Sequence, residues 1–251
     1  MHFVRAQARG ATAAHIQSCM KNDPIGIFDS GSGGLTVLDA CRTLLPCENY
    51  VYVSDSRAGG WGSLPESEIA ERVDACVHKL SEHGCKAIVA ACNTATATRI
   101  NVLRHDCPLP FIGAEPAVRP ALRAFPDGKI VVLCTPATAK QEKFRMLLSS
   151  CAGNIVVSPQ PALAQKIERH LHALDFLQDE AEEIVAAEQP DALVLGCTHY
   201  VFIRHLFARI VGNERVFDGN AGVARRLQAV LSEQGLCTER GKTGGVLFDA
   251  V

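Results

Sequence analysis

Short apolar runs recur along this chain, and between them lie longer stretches whose apolar residues return every three or four positions. Runs of the first kind have the length of buried strands, and the second pattern is that of amphipathic helices. Four strands are predicted in the first half, at Ile25–Phe28, Asn49–Val53, Ala87–Ala91 and Phe111–Gly113. Four more follow at Ile130–Cys134, Ile155–Val157, the apolar run leading to Cys197, and Val216–Asp218. Helices are predicted over Leu35–Leu45 and Glu66–His83, and from the residues after Cys92 through Leu103. Further ones are predicted over Lys140–Leu148, Ala162–Leu174, Asp179–Ala187, Val201–Val211 and Ala221–Glu233. Glu66–His83 is the clearest, with Ile69, Val73, Cys76, Val77 and Leu80 on one face. Gly244–Phe248 is a short tail segment without an assigned role. Strands alternating with helices throughout predict an α/β fold with parallel, doubly wound sheets.

The second half of the pattern repeats the first. Ala87 matches Ala192, Val89 matches Val194 and Cys92 matches Cys197, each pair 105 positions apart. At the same offset IGIFDS (25–30) falls on IVVLCT (130–135), NYVY (49–52) on NIVV (154–157), and PFIGA (110–114) on RVFDG (215–219). The chain therefore reads as an internal duplication, two pseudo-symmetric α/β units. Residues 1–24 have no counterpart in the repeat and are expected to be a poorly ordered extension.

In each unit the strand that carries the closest match ends in a cysteine followed by residues that cap a helix: Asn93, Thr94 and Thr96 after Cys92, Thr198 after Cys197. The carboxyl ends of strands in open α/β sheets are where ligands bind. The unpaired N–H groups of a helix start favour a thiolate there. Two such thiols facing each other across a cleft can act on opposite faces of one carbon. One, as thiolate, removes a proton; the other, as thiol, delivers a proton to the far side and inverts the centre. Groups close in acidity suit that exchange. A Cys197–His199 nucleophile is the competing reading, but it leaves Cys92 and the duplication unexplained. Two loops add candidates. The turn Asp29-Ser30-Gly31-Ser32-Gly33-Gly34 is of a kind that cradles an anion on backbone N–H groups. The segment after the second strand carries the chain's single tryptophan, Trp61, among glycines, and suggests a flap over a ligand, with a tryptophan packing locally as the alternative.

Composition narrows the classes. With 251 residues, 47% hydrophobic and 21% charged, the chain is an ordinary globular protein with room for one large or two small domains. A net charge of −2 gives no reason to expect nucleic acid or an acidic membrane as partner, and no apolar run reaches a bilayer's width. The 11 cysteines are scattered without CxxC pairs, which argues against a disulfide framework and a structural metal site, and fits a cytoplasmic protein.

The motifs IGIFDSGSGGLTVL (25–38), ACNTATA (91–97), Thr135 with Thr138, Ile167-Glu168 and ALVLGCTHY (192–200) together resemble those of the cofactor-independent aspartate/glutamate racemases. The resemblance runs from residue 25 to about residue 225. It implies glutamate as the small-molecule substrate, bound between two α/β domains, with no cofactor and no metal. It implies discontinuous domains, 25–114 with 219–251 and then 115–218, and a homodimer. It assigns Cys92 to deprotonate the D-isomer and Cys197 the L-isomer, with Asp29 assisting the first and Glu168 and His199 the second. Ser30, Asn93, Thr94, Thr135, Thr138 and Thr198 are expected to hold the substrate's polar groups, and Trp61 and Gly62 to contact it from the loop. The resemblance further implies that the D-glutamate made in this way serves peptidoglycan synthesis.

The chain departs from that family at Gly60-Trp61-Gly62, where Pro-Tyr-Gly is usual. Gln141 and Phe144 stand where serine and tyrosine are common, and Val201 where a proline often follows the CTHY motif. The rival readings are racemisation of another amino acid such as aspartate, and a non-catalytic binding protein on the same fold. Aspartate-specific relatives have a histidine at the position of Thr96, which favours glutamate.

Overall fold

A computed structural model describes residues 20–55 and 60–251. It contains two parallel sheets. In the first, β1 (Ile25–Asp29), β2 (Tyr50–Ser54), β3 (Ala87–Ala90), β4 (Phe111–Gly113) and β9 (Val246–Ala250) lie in the order β4-β3-β1-β2-β9. In the second, β5 (Lys129–Cys134), β6 (Asn154–Pro159), β7 (Ala192–Leu195) and β8 (Val216–Asp218) lie in the order β6-β5-β7-β8. The duplication read from the sequence extends to the pairing register. Ile25 pairs with Tyr50 and Ala87, as Ile130 pairs with Ile155 and Ala192. Ile88 pairs with Phe111 as Leu193 pairs with Val216. Every one of these partners is displaced by the same 105 positions between the units.

Strands β1, β2, β3, β5 and β7 are buried on both faces, which is why they read as continuous apolar runs rather than alternating ones. In the first sheet Phe28, Val51, Val53, Ile88 and Ala90 meet the helix Glu66–Glu82 through Ile69, Val73, Cys76, Val77 and Leu80. Ile25, Ile27, Tyr50, Tyr52 and Val89 face the helices Leu35–Leu44 and Asn220–Glu233 on the other side. The second sheet is sandwiched in the same way. Val131, Leu133, Leu193 and Leu195 pack beneath Leu163–Arg169, Gln178–Glu188 and Arg204–Val211, while Ile130, Val132, Ala192 and Val194 meet Val118–Ala124 and Glu142–Ser149.

Several elements differ from the sequence expectation. The tail segment is a strand, β9, parallel to β2 from Tyr50↔Val246 to Ser54↔Ala250, and it has no counterpart in the second sheet. The helix predicted over Lys140–Leu148 is two, Pro136–Lys140 and Glu142–Ser149, because Gln141 is extended at φ −79° and ψ 136°. The helix predicted over Ala162–Leu174 stops at Arg169, and a 3-10 turn, Leu174–Leu177, follows. The chain leaving Cys197 begins as a 3-10 turn, Thr198–Ile203, before the helix Arg204–Val211. The expected disordered extension lies outside the described residues except for residues 20–24, and these are held in place. Met20 packs on the first unit's core, and the buried Lys86 Nζ donates to the Lys21 carbonyl at 2.6 Å and to Glu48 Oε2 at 2.5 Å.

Candidate active site

Both cysteines stand where the sequence pattern predicts, just past the carboxyl ends of equivalent strands, β3 for Cys92 and β7 for Cys197. Cys92 caps the helix Asn93–Asp106, its Sγ accepting the Ala95 N–H at 3.5 Å, and its S–H points at Ser30 Oγ at 3.5 Å. Cys197 Sγ lies 3.9 Å from His199 Nδ1. His199 Nε2 in turn meets Glu168 Oε2 at 2.7 Å. Cys92 and Cys197 are both buried, and a charge on Cys197 is felt at Cys92.

Glu168 belongs to the second unit, yet it is held by the first. Ser32 donates its backbone N–H to both carboxylate oxygens at 3.1 Å and its hydroxyl to Oε2 at 2.5 Å. The glycine-rich turn therefore does bind an anion at a helix start, the chain's own Glu168 carboxylate. The glycines permit the approach. A Cβ on Gly31 would lie 2.9 Å from Glu168 Oε1, and one on Gly33 would lie 2.5 Å from Thr198 Oγ1 and 2.7 Å from the His199 backbone nitrogen. Tyr52, absent from the sequence expectation, donates its hydroxyl to the Gly31 carbonyl at 2.7 Å and fixes the turn from below. Ser32 was equally legible, since it stands inside the same motif as Asp29 and Ser30.

Asp29, fully buried, accepts from Gly31 N at 3.1 Å through Oδ2 and from Thr198 Oγ1 at 3.2 Å through Oδ1. Three threonine hydroxyls form a triangle across the two units: Thr94 to Thr135 at 3.0 Å, Thr94 to Thr138 at 3.0 Å, and Thr135 to Thr138 at 2.9 Å. Asn93 opens the helix beside Thr94 and is nearly buried. Gly62 reaches the triangle from the loop. Its carbonyl accepts the Ala137 N–H at 2.9 Å, and a Cβ there would sit 2.7 Å from Thr135 Cγ2. Trp61 departs from expectation. Its ring is fully buried in the first unit's core and its N–H donates to Asp55 Oδ2 at 3.1 Å, so that donor is committed within the protein. Residues 56–59 of the expected flap lie outside the described residues.

The electrostatics of the two thiols differ. Burial, and then the Asp29 carboxylate, push the Cys92 thiol up to about 12, against the smaller opposing pull of its hydrogen bonds to Ser30 and Ala95. At His199 and Glu168 the balance favours charge. Burial works against an imidazolium at His199, but hydrogen bonds to Cys197 and Glu168 outweigh it and raise His199 to about 10. Burial likewise works against a Glu168 anion, and the contacts with His199 and Ser32 overcome it, lowering Glu168 to about 2. Burial raises Asp29, opposed by the nearby imidazolium. The site thus holds one protonated thiol, Cys92, and a second sulfur, that of Cys197, beside a carboxylate-stabilised cation. Among the described residues no group of three His, Cys, Asp or Glu side chains is placed to hold a metal ion, and no helix is long and apolar enough to cross a membrane.

Residues 39–227 match the sequence profile of the Asp/Glu/hydantoin racemases. The chain belongs to that family. A protein named glutamate racemase from Herpetosiphon aurantiacus is 37% identical over 233 residues, covering 90% of this chain and 92% of its own length. A glutamate racemase from Ralstonia pickettii is 40% identical, covering 85% of this chain and 78% of its own. Among solved structures, a glutamate racemase isoform from Bacillus anthracis superposes with a TM-score of 0.80 at 26% identity, over 92% of this chain and 89% of that one. The glutamate racemase of Thermus thermophilus in complex with β-chloro-D-alanine gives 0.74 at 29% identity, over 92% of this chain and 88% of that one. The chain is therefore a racemase of this family, with its two-sheet α/β architecture.

Proposed function

We propose that this racemase interconverts L- and D-glutamate by carrying the Cα proton between Cys197 and Cys92. The observation that carries the reading is the pair of buried thiols at equivalent strand ends, each with different proton-handling neighbours. With the L-isomer bound, the Cys197 thiolate, stabilised by His199 and Glu168, takes the Cα proton. The resulting carbanion receives a proton from the Cys92 thiol on its opposite face, leaving Cys92 as thiolate and Cys197 as thiol. The D-isomer runs the same steps in reverse, with Asp29 beside Cys92. The hydroxyls of Ser30, Thr94, Thr135, Thr138 and Thr198 and the Asn93 amide hold the substrate's carboxylates and ammonium group. The steps need no cofactor. The working unit divides into residues 25–114 with 219–251, and 115–218, and its D-glutamate is destined for peptidoglycan. The names borne by the relatives support glutamate over other amino acids, as does Thr96 after the first cysteine.

The test is to incubate the purified protein with each L-amino acid and resolve the enantiomers. L-Glutamate is expected to approach an equal mixture. Faster turnover of another amino acid would overturn the substrate, and turnover of none would overturn the activity.

A further inference from the structure

The side chain of Trp61 packs inside the first unit, and its hydrogen-bond partner is not among the candidate site residues. Its N–H donates to Asp55 Oδ2 at 3.1 Å, and the same oxygen receives Arg72 Nη1 at 2.5 Å. Asp55 is 1% exposed at the end of β2, and its own backbone N–H donates to the Asp29 carbonyl at 3.3 Å. Arg72, on the helix Glu66–Glu82, is steadied by Glu68, whose Oε1 receives Arg72 Nη2 at 2.7 Å and Nε at 3.1 Å. The buried ring packs in the same core as Phe28, Val53, Ile69, Cys92 and Ala137. One residue further on, Gly62 lies against Thr135 with no room for a side chain and accepts the Ala137 N–H from the other unit.

We propose that Asp55 and Arg72 are positioning residues that fix Trp61, and through it set Gly62 against the threonine triangle where the substrate is held. A tryptophan suits this place because indole is a donor only, and a buried carboxylate needs donors. The anchor also explains why the loop tolerates glycine at position 60, at φ +93°, where the family has proline. A proline stiffens the backbone locally; here the stiffness comes from a side chain locked into the core. Neither Asp55 nor Arg72 touches the reacting atoms, so their loss acts on substrate binding through loop position. The inference rests on the glutamate reading for its substrate, but not for its structural content.

The experiment compares Asp55→Asn, Arg72→Met, Arg72→Lys and Trp61→Phe with the parent protein. KM and kcat for glutamate are measured alongside the emission of Trp61, the chain's only tryptophan. Loss of a charge-assisted contact predicts a KM higher by roughly tenfold or more with kcat little changed. Emission should shift to the red in Asp55→Asn and Arg72→Met, with Arg72→Lys recovering part of both effects. Trp61→Phe should raise KM while circular dichroism stays that of the parent. Red-shifted emission with an unchanged KM would overturn the positioning role, as would parent-like emission in Asp55→Asn. If any one variant fails to fold, the remaining three decide. If the parent turns over a different amino acid, the glutamate reading fails, and KM for that amino acid together with the emission still decides the anchor.

Discussion

Replacing Glu168 by glutamine tests the charge relay behind Cys197. Glutamine keeps nearly the same shape and can still accept from Ser32 and His199, so the fold should survive; only the negative charge is lost. In the parent protein His199 is held at about 10 by contacts that include Glu168 Oε2 at 2.7 Å. A hydrogen bond to a charged partner contributes roughly 1.5–3 kcal/mol. At about 1.4 kcal/mol per pKa unit, its loss lowers His199 by roughly one to two units. His199 carries its charge below its pKa and loses it as pH rises through that value. A lowered pKa therefore moves the loss of the imidazolium toward neutrality, and with it the positive charge beside the Cys197 sulfur. The assay is kcat/KM for L-glutamate from neutral to alkaline pH. The alkaline limb should move down by about one to two units, while the plateau below it falls modestly. A variant with parent-like activity and an unmoved alkaline limb would refute the relay from Glu168 to His199.

Two further substitutions bear on the site. Cys92→Ser and Cys197→Ser should each abolish racemisation, since serine is too weak an acid to serve as base. Each should still eliminate halide from a single enantiomer of a β-halogenated substrate analogue, which needs one base; equal loss with both enantiomers in both variants would contradict the assigned roles. Gly33→Ala forces a Cβ within 2.7 Å of the His199 backbone. The overpacking should cost about 1–3 kcal/mol, read as a lower Tm, together with loss of activity; a variant with unaltered Tm and rate would show that the two units need not close this tightly.

Most of the architecture was legible because the inner strands are buried on both faces and the repeat marks them twice. The offset between Cys92 and Cys197 predicts not only equivalent strands but the same pairing partners in both sheets. Elements whose form is set by tertiary context were not legible. Nothing like proline or glycine marks the break at Gln141, where an extended residue starts a new helix. Strand β9 reads as a weak tail because one of its edges is open and Leu247 and Phe248 are exposed. In the candidate site, residue types were readable from motifs, but partnerships across a long sequence separation were not. The glycine turn announces an anion; only the fold reveals that the anion is Glu168, 136 positions from Ser32. Likewise Trp61 looks like a ligand contact until the buried carboxylate of Asp55 is seen to claim its N–H.

The unequal surroundings of Cys92 and Cys197 have a kinetic consequence. Mirror-image amino acids have equal free energies, so the reaction's equilibrium constant is unity and both directions must share one kcat/KM. In the proposed mechanism each passage from L to D leaves the protein in its other protonation state, with the charge on the sulfur that burial and Asp29 disfavour. It must exchange protons with solvent, or run a D-isomer backwards, before it can accept another L-isomer. The D-isomer thus meets the scarcer of two protein forms. Any difference in KM that this asymmetry produces between the enantiomers must be matched by kcat values different in the same proportion.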